Sequence, residues 1–489
     1  MTQPLTAVDF LAILPQLIVI GMGMVVILFD LFGRGRDTRK LGYLALFSLA
    51  AAAYAEVALA GKGLQGFNGS AAADDYAIAF GLVFLLVTAF TVLISFRFLE
   101  DRDLQHGEYH ALLLFACGGM MFMAAARDLL MIFVGLEILS ISSYILCGMI
   151  QRDDRSGESA LKYFLLGAFA TGFLLYGIAL LYGATGSIVL RDIQAALARE
   201  AVFNNPLVWL GLALLLVGFG FKLALVPFHM WTPDVYEGAP TAITAFLSTG
   251  PKAAGFAALA RVLLEALPAA QAEWSQALWV LSVLTMTVGN VVALQQDNIK
   301  RMLAYSSIAH AGYMLAALVV GGRAGLAAVL FYSLAYAFMN MGAFAIVILA
   351  SGKERERLTF RDYAGLGYVE PLVAFAMFVF MLSLAGIPLT AGFAGKFQIF
   401  KAAMDQGYVW LTVAGVLNSV VSVYYYLRIV VAMYMERPGP DALRSRAAVS
   451  PSLYAAIALA LLGVLYLGVF PSASIEAALQ SVGALVVGR

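Results

Sequence analysis

Four charged side chains lie in long apolar stretches of this sequence. Lys222, Lys252 and Lys396 lie inside or at the edge of such stretches, and Glu137 lies in the middle of another. A charge at the centre of a membrane-spanning helix costs about 2.5 to 3.5 kcal/mol on insertion scales. Residues of this kind persist where they pair, face water or mark a path for ions or protons. The sequence therefore predicts a membrane protein that moves charge.

The composition leaves little material for a surface that faces water. Of the 489 residues, 62% are hydrophobic and 12% are charged, whereas a soluble protein carries roughly 25% charged residues. We predict an all-α polytopic membrane protein with about fourteen transmembrane helices, each near the length of roughly 20 residues that crosses the hydrocarbon core. The predicted spans lie near 10–32, 41–61, 76–97, 110–126, 128–150, 160–185, 206–227, 240–266, 274–295, 301–321, 325–351, 371–400, 408–435 and 450–472.

Several classes of function find no support in the sequence. The formal net charge is zero, so nothing points to nucleic acid. The two cysteines, Cys117 and Cys147, lie in predicted spans without metal-site spacing, and we interpret them as packing residues. No GxxxxGK[ST] motif and no metal-ligand spacing occurs. Energy for charge movement must therefore come from a counter-ion gradient or from a partner that does chemistry.

Basic residues are concentrated in the odd-numbered predicted loops. Arg39 and Lys40 lie in the first of these loops, and Lys300 and Arg301 lie in the ninth. Because cytoplasmic loops carry the excess of lysine and arginine, we predict the odd loops in the cytoplasm. The chain is then a multi-pass membrane protein with both termini on the side opposite the cytoplasm.

The spans fall into an ordered arrangement within a single membrane domain, 1–489. Three N-terminal spans occupy 1–98, two sets of five occupy 110–266 and 274–435, and a final span occupies 450–472. A set with an odd number of helices makes the next set enter the membrane in the opposite direction. We therefore predict two inverted five-helix repeats.

The fourth span of each set is interrupted by a proline, Pro227 in the first set and Pro388 in the second. Each broken helix carries one lysine, Lys222 and Lys396 respectively. A break frees backbone carbonyls and exposes the ends of two half-helices, so matching breaks indicate a transport site.

The buried charges have a chemistry that suits proton transfer. The pKa of a lysine falls when its ammonium is desolvated and rises beside a carboxylate, so a change in surroundings moves a proton. We interpret Glu137, Lys222, Lys252 and Lys396 as a proton relay in which Glu137 pairs with a lysine. A glutamate held by a serine, and a lysine at position 222 that reaches the interface, are the simpler alternatives.

His310 is a further candidate for the relay. It lies in the run Tyr305–Tyr313, and because histidine titrates near neutral pH it is suited to connect Lys252 with Lys396. A single histidine in an apolar helix is more often a hydrogen-bonded packing residue, and both interpretations stay open.

Three stretches resemble the antiporter-like membrane subunits of respiratory complex I and of the multisubunit cation/proton antiporters. They are FGFKLALVPFHMWTPDVYEGAPT at 219–241, DNIKRMLAYSS at 297–307, and LAGIPLTAGFAGK at 384–396. Within this family, the run VYEGAP and the sequence STGPK ending at Lys252 are most similar to the subunit N branch of NADH:quinone oxidoreductase.

The resemblance implies a membrane-arm subunit that translocates protons, driven by electron transfer from NADH to quinone in other subunits. It implies that Glu137 and Lys222 form the coupling ion pair, that Lys252 is the middle proton site and that Lys396 is the site on the second broken helix. It implies other complex I membrane-arm subunits on both flanks and surrounding lipid. No cofactor or metal is expected in this chain, because NADH, FMN, the iron–sulfur clusters and quinone are expected in partner subunits.

Two alternatives remain at this point. One is a subunit of a sodium/proton antiporter driven by an ion gradient, which would give a sodium-dependent proton flux without NADH. The other is a structural membrane scaffold with vestigial lysines, in which neutral substitutions at Lys252 and Lys396 would leave activity intact.

Overall fold

The computed structural model describes residues 5–32, 38–102, 104, 107–150, 152–351, 356–437 and 450–486, and these are mainly helical. In chain order the helices are α1 (Ala7–Ala12), α2 (Leu14–Phe32), α3 (Thr38–Leu59), α4 (Asp75–Asp101), α5 (Gly107–Ala125), α6 (Leu129–Cys147), α7 (Asp154–Thr185), α8 (Leu190–Leu197), α9 (Glu200–Phe203), α10 (Pro206–Leu223), α11 (Trp231–Gly238), α12 (Thr241–Arg261), α13 (Gln271–Ala293), α14 (Ile299–Val320), α15 (Gly322–Ala350), α16 (Leu366–Val369), α17 (Pro371–Ala385), α18 (Ala391–Asp405), α19 (Val409–Met435), α20 (Pro451–Val469), α21 (Pro471–Ser481) and α22 (Gly483–Val486). Two short antiparallel strands, β1 (Leu64–Gly66) and β2 (Ala71–Ala73), form a hairpin between α3 and α4. A π-helical turn, Val262–Ala266, follows α12, and single 3-10 turns occur at Phe67–Gly69, Pro268–Ala270 and Phe360–Tyr363.

The membrane architecture predicted from the sequence is confirmed. Twelve of the described helices are long and apolar enough to cross a membrane. The predicted span 240–266 also forms, as α12, but it carries Lys252 and Arg261 and all of its residues are buried. Because protein rather than lipid surrounds α12, its own side chains need not be apolar. The predicted span 371–400 consists of two half-helices, α17 and α18.

Polar caps fix where many of these helices begin. The first turn of a helix has free backbone N–H groups, and a side-chain oxygen just before the helix accepts one of them. Five helices, α4, α6, α7, α10 and α14, have such a cap, provided by Asp74, Asp128, Asp153, Asn205 and Asn298. Proline at the first helical position starts α10, α17 and α20.

The two sets of five spans pack in the same way. The first set comprises α5, α6, α7, α10 and α12, and the second comprises α13, α14, α15, α17 with α18, and α19. In each set the first helix packs on the second, the third on the first part of the broken helix, and the fifth on the first. A Cβ on Gly119 of α5 would lie 2.7 Å from the carbonyl oxygen of Gly135, and one on Gly289 of α13 would lie 2.7 Å from the amide of Ala309. The first two helices of each set therefore cross at a glycine.

Backbone pairing at the start of the second helix repeats as well. An isolated antiparallel bridge joins Asp128 to Val189 in the first set, and another joins Asn298 to Thr359 in the second. The two partners are equally far apart along the chain in both sets. This correspondence supports an inverted repeat in register, although the residue types differ.

Alternating spans define two sides of the molecule. We call the side with the odd-numbered loops the odd-loop side and the other the even-loop side. The ion pairs found among the described residues join loops of the same kind: Arg301 pairs with Asp234 on the odd-loop side, and Arg261 pairs with Asp74 on the even-loop side. The side assigned to each of these loops by counting helices thus agrees with the side indicated by these ion pairs.

Both predicted proline breaks are present. Helix α10 ends at Leu223, and Ala224 takes a left-handed conformation with φ 57° before Pro227. Helix α17 ends at Ala385, and Gly386 takes a left-handed conformation with φ 87°. Each helix ends before its proline because the residue preceding proline is sterically disfavoured in the helical region. Only in the second set does a further long half-helix, α18, follow the break.

Candidate functional site

Lys222 lies one residue before the end of α10 and is 3% exposed. Its Nζ donates to Ser140 Oγ on α6 at 3.0 Å and to Tyr163 OH on α7 at 3.5 Å. The ammonium is therefore held among three helices of the first set and does not reach the surface. The alternative of a lysine that extends to the interface is wrong for this side chain.

Glu137 lies on α6, one turn before Ser140. Its side chain is half-buried, and its buried Oε1 has no hydrogen-bond partner. Glu137 and Lys222 are not within salt-bridge distance of each other, because the ammonium faces Ser140 and Tyr163 instead. The direct ion pair implied by the resemblance is therefore absent here.

Lys252 lies in the middle of α12 and is 1% exposed. Its Nζ donates to the carbonyl oxygen of Ser307 at 2.8 Å and to Ser307 Oγ at 2.6 Å. The ring of Tyr236 lies 6.0 Å from the ammonium, within the range of a cation–π contact. No carboxylate forms an ion pair with Lys252 in the described part of the chain. Its hydrogen bonds to a neutral serine can be made or broken without separating two charges.

Lys396 lies on α18, just after the second break, and is 4% exposed. Its Nζ donates to the carbonyl oxygens of Leu384 and Ala385 at 3.1 and 3.0 Å and to Ser419 Oγ at 2.9 Å. The carbonyls at the end of α17 lack partners within the helix, so they are free to accept these bonds. The break thus supplies the acceptors, and the ring of Tyr313 lies 4.7 Å from the ammonium.

His310 lies on α14, one turn after Ser307, and is buried. Its Nδ1 shares a hydrogen bond of 2.6 Å with Tyr332 OH, and its Nε2 shares one of 3.0 Å with Tyr426 OH. Tyr426 OH is also hydrogen-bonded to Ser306 Oγ. Both ring nitrogens therefore have hydroxyl partners, which is compatible with packing and with proton transfer alike.

Four of the predicted groups, Lys222, Lys252, His310 and Lys396, form one row in the structure. Direct hydrogen bonds do not connect all of them. Ser307, which accepts from Lys252, lies one turn before His310 on α14, and Tyr313, whose ring faces Lys396, lies one turn after it. Between Lys222 and Lys252 the packing is different. A Cβ on Gly255, one turn after Lys252, would touch the stem of Lys222. In the described residues, no chain of direct hydrogen bonds joins these two ammonium groups.

The inverted repeat relates the partners of these groups. Ser140 and His310 lie at the same distance from the helix caps Asp128 and Asn298. Ser140 contacts Lys222, and His310 takes the corresponding place in the second set. His310 is therefore the counterpart of a residue that touches a buried lysine.

A polar cavity of about 290 Å³ opens on the odd-loop side of the first set. Its lining on α7 and α11 is Arg155, Glu158, Ser159, Lys162, Asp234, Glu237 and Gly238, and Arg301 joins from α14. We call it the odd-loop cavity. Asp234 accepts from Lys162 at 2.8 Å and from Arg301 at 2.9 Å. Partial burial alone would raise the pKa of Asp234, but these two cations hold that pKa below its ordinary value.

A second cavity, of about 170 Å³, opens on the even-loop side of the second set. We call it the even-loop cavity. Its lining on α15 and α18 is Ala324, Ala327, Ala328, Phe331, Gln398, Lys401, Ala402 and Asp405, with Ile475 and Leu479 from α21. The spacing on α15 repeats the spacing on α7, and Gln398, Lys401 and Ala402 repeat the spacing of Asp234, Glu237 and Gly238. The two cavities are thus inverted counterparts.

One tyrosine leads from each cavity toward the centre. Tyr163 follows Lys162, the last lining residue on α7, and its hydroxyl reaches Lys222. Tyr332 follows Phe331, the last lining residue on α15, and its hydroxyl bonds His310. In both sets the residue after the last lining residue on the third helix is therefore a tyrosine that contacts a buried titratable group, and the two cavities lie on opposite sides.

Sequence reasoning missed several of these groups. These are Tyr163, Tyr332, Tyr426 and Ser419, whose uncharged side chains cost little in a span and so give no signal there. Tyr163 and Tyr332 lie at corresponding positions on the third helix of the two sets. An alignment of the two sets would have revealed this match.

Comparisons with known proteins agree with this geometry. The family described as NADH:quinone oxidoreductase/Mrp antiporter, transmembrane region, matches residues 126–422. NADH-quinone oxidoreductase subunit N of Trichlorobacter lovleyi is 48% identical over 480 residues, which is 98% of both chains. NADH-quinone oxidoreductase subunit N 1 of Solibacter usitatus is 46% identical over 97% of both chains.

Solved structures share the fold. A chain of respiratory complex I from Thermus thermophilus is 38% identical, with a TM-score of 0.78 over 94% of this chain and 98% of that one. A chain of the Mrp complex from Dietzia sp. has a TM-score of 0.84 over 98% of both chains, but at 22% identity it shows the fold alone.

Proposed function

Since the chain belongs to the subunit N family of NADH:quinone oxidoreductase, we propose a route for the protons that it carries. The chain is a multi-pass membrane subunit of that multisubunit complex, and it translocates protons. The proposed route enters at the odd-loop cavity, passes Lys222, Lys252, His310 and Lys396, and leaves at the even-loop cavity. Glu137 adjusts the charge around Lys222 without touching it.

One observation carries this proposal: inverted counterparts of the same cavity open on opposite sides of the membrane. A carrier needs access to both sides, and a single cavity would give access to only one. The tyrosine that follows the last lining residue of each cavity on α7 and on α15 contacts Lys222 or His310 through its hydroxyl. Because basic loops lie in the cytoplasm, the odd-loop cavity faces the cytoplasm and takes up protons there. The even-loop cavity then releases them to the periplasm.

The chemistry follows from the buried lysines. An ammonium that loses part of its solvation gives up a proton more readily, and approach of a carboxylate reverses this tendency. Lys252 is held by a neutral serine, so the charge state of its neighbours decides whether it keeps its proton. A charge introduced near Lys222 would therefore change the protonation of each group in turn along the row toward Lys396.

In this proposal the energy comes from a redox reaction in other subunits of the complex. NADH, FMN, iron–sulfur clusters and quinone bind outside this chain, which itself carries out no redox step. Other membrane-arm subunits flank it on both sides in a bacterial inner membrane, and both of its termini face the periplasm. A sodium/proton antiporter is less well supported, because the relatives of higher identity are subunits of NADH-quinone oxidoreductase.

The test of the proposed function is Lys222→Met in the complete complex, reconstituted in liposomes. Methionine keeps the stem that packs near Gly255 but removes the ammonium. We expect loss of NADH-driven proton pumping and a fall in quinone-reductase turnover of about 100-fold or more, in the range of a removed proton-transfer group. Pumping is measured with a pH-sensitive dye, and turnover by NADH oxidation.

The control for this test is Lys62→Met, at an exposed lysine outside the row. It should pump like the wild type. Normal pumping by an assembled Lys222→Met complex would exclude the route, whereas a sodium-dependent flux without NADH would favour the antiporter alternative.

A second prediction concerns the tyrosine at the release end. Tyr332→Phe removes the hydroxyl that bonds His310 at 2.6 Å while keeping the ring. We expect a severalfold loss of proton pumping in the assembled complex, because His310 loses one of its two hydroxyl partners. Tyr182→Phe, at an exposed tyrosine on α7, is the matched control. Equal pumping by both variants would exclude Tyr332 from the route.

A further inference from the structure

Two arginines occupy corresponding places in the two sets. Arg261, the last residue of α12, donates from Nε to the carbonyl oxygen of Ala124 at 2.6 Å. Arg428 on α19 donates to the carbonyl oxygen of Leu294 at 3.0 Å. Ala124 and Leu294 lie at the same distance before the caps of the following helices. Each arginine therefore ties the fifth helix of its set to the end of the first.

Arg261 is completely buried. Besides Ala124, it donates to Asp74 at 2.6 Å and to Glu265 at 2.7 Å, and its guanidinium lies 4.8 Å from the ring of Tyr76. Burial would raise the pKa of Asp74, but Arg261 and Arg127 keep that pKa below its ordinary value. The guanidinium is thus fixed by three acceptors, and it fills the even-loop end of the first set.

Arg428 is held in a similar way on the odd-loop side. It donates to the carbonyl oxygen of Gln296 at 3.0 Å and to Asp297 at 2.6 Å, and it lies 4.7 Å from the ring of Phe360. It also lines a surface cavity of about 720 Å³. Tyr425, one turn before Arg428 on α19, is fully buried. Arg428 therefore stands between this surface cavity and the buried interior of the second set.

The positions of the arginines relative to the proposed openings are opposite in each set. The first set has its cavity on the odd-loop side and Arg261 on the even-loop side. The second set has its cavity on the even-loop side and Arg428 on the odd-loop side. Each arginine lies at the end of its set that the proposed route must keep closed.

We propose that Arg261 and Arg428 are sealing residues that close the unused end of each set and so force protons to travel sideways between the sets. This inference rests on the proposed function. A fixed arginine excludes protons and cations from a narrow passage by its charge and its occupied hydrogen bonds. By tying two helices together, it also prevents them from separating at that end. Both arginines act by position and take no part in proton binding.

The experiment measures passive proton flux without NADH, in liposomes that contain the complete complex and carry an imposed potassium diffusion potential. Arg261→Gln and Arg428→Gln should each raise the flux severalfold above the wild type. Arg191→Gln, at an exposed arginine on α8, should leave the flux unchanged. Arg261→Lys and Arg428→Lys retain the charge and should give a smaller leak than the glutamine variants.

A second substitution shows whether the leak uses the proposed route. Lys222→Met added to Arg261→Gln should remove its leak, because protons then cannot pass the first buried lysine. Lys396→Met added to Arg428→Gln should do the same in the second set. If Arg261→Gln does not assemble, the half-buried Arg428 provides the decisive pair.

Three outcomes would overturn the sealing role. They are assembled glutamine variants with wild-type flux, leaks that persist in the double variants, and lysine variants that leak as much as the glutamine variants. Failure of the proposed function is a different result, because it appears as normal NADH-driven pumping by Lys222→Met alone.

Discussion

Lys252→Met is expected to abolish NADH-driven proton translocation by the assembled complex. Lys252 is the middle group of the row, so each proton that moves from the first set to the second passes it. Its ammonium makes both of its hydrogen bonds to Ser307, and methionine offers no proton to either acceptor. Removal of a positioned proton-transfer group costs about 100-fold or more in rate. Quinone-linked turnover should fall with pumping if the two processes are tightly coupled.

Lys252→Arg separates charge from proton transfer. Arginine keeps a positive charge at the position but does not deprotonate in proteins. We expect Lys252→Arg to be nearly as inactive as Lys252→Met, while Lys62→Met remains active. Pumping is followed by dye quenching in liposomes, and assembly by native gel with in-gel NADH dehydrogenase activity. Substantial pumping by the arginine variant would mean that a fixed charge suffices, and it would remove Lys252 from the route.

The sequence predicted the parts of this molecule that the membrane constrains most strongly. A span must be long and apolar, so the helices could be located by composition. The second break could be located because proline removes a helical hydrogen bond and commonly kinks or ends a helix, and Pro388 lies between two half-helices. Lys252 was recognised because a charge in lipid is costly, and the structure indeed surrounds it with protein.

Side-chain partners could not be predicted in the same way. The family resemblance implied Glu137 as the partner of Lys222, but helix packing turns the ammonium toward Ser140 and Tyr163. Which hydroxyl a lysine meets depends on the rotation and crossing of three helices. These are set by close contacts such as that at Gly119, and no local pattern encodes them.

The inverted repeat was also visible only in part. The sequence indicated it by the number of spans and by the breaks, but the lining residues of the two cavities differ in chemistry. Lys162 corresponds to Phe331, and Glu237 corresponds to Lys401. Spacing has been kept while residue type has changed, because the shared backbone geometry fixes which positions face the cavity. A comparison by residue identity would therefore miss this relation.

Gly392→Ala is expected to prevent stable assembly. Gly392 lies at the start of α18, where a Cβ would overlap the carbonyl oxygen of Ser383 at the end of α17. Its amide also donates to Ser383 Oγ at 3.0 Å. The obstacle is backbone and cannot turn aside, so the two half-helices would have to separate. Overpacking costs about 1–3 kcal/mol, and the break has few ways to relax. We expect a strong loss of assembled complex and a lower thermal midpoint.

The same contact positions the proton site, so the effect should reach function as well. Lys396 lies one turn after Gly392, and its acceptors, the carbonyls of Leu384 and Ala385, directly follow Ser383. Separation of the half-helices would pull the ammonium away from these carbonyls. Gly172→Ala on α7, where a Cβ meets no atom within 4 Å, is the matched control and should assemble normally. Wild-type assembly, thermal midpoint and pumping in Gly392→Ala would show that the second break tolerates separation. The acceptors of Lys396 would then not depend on this packing.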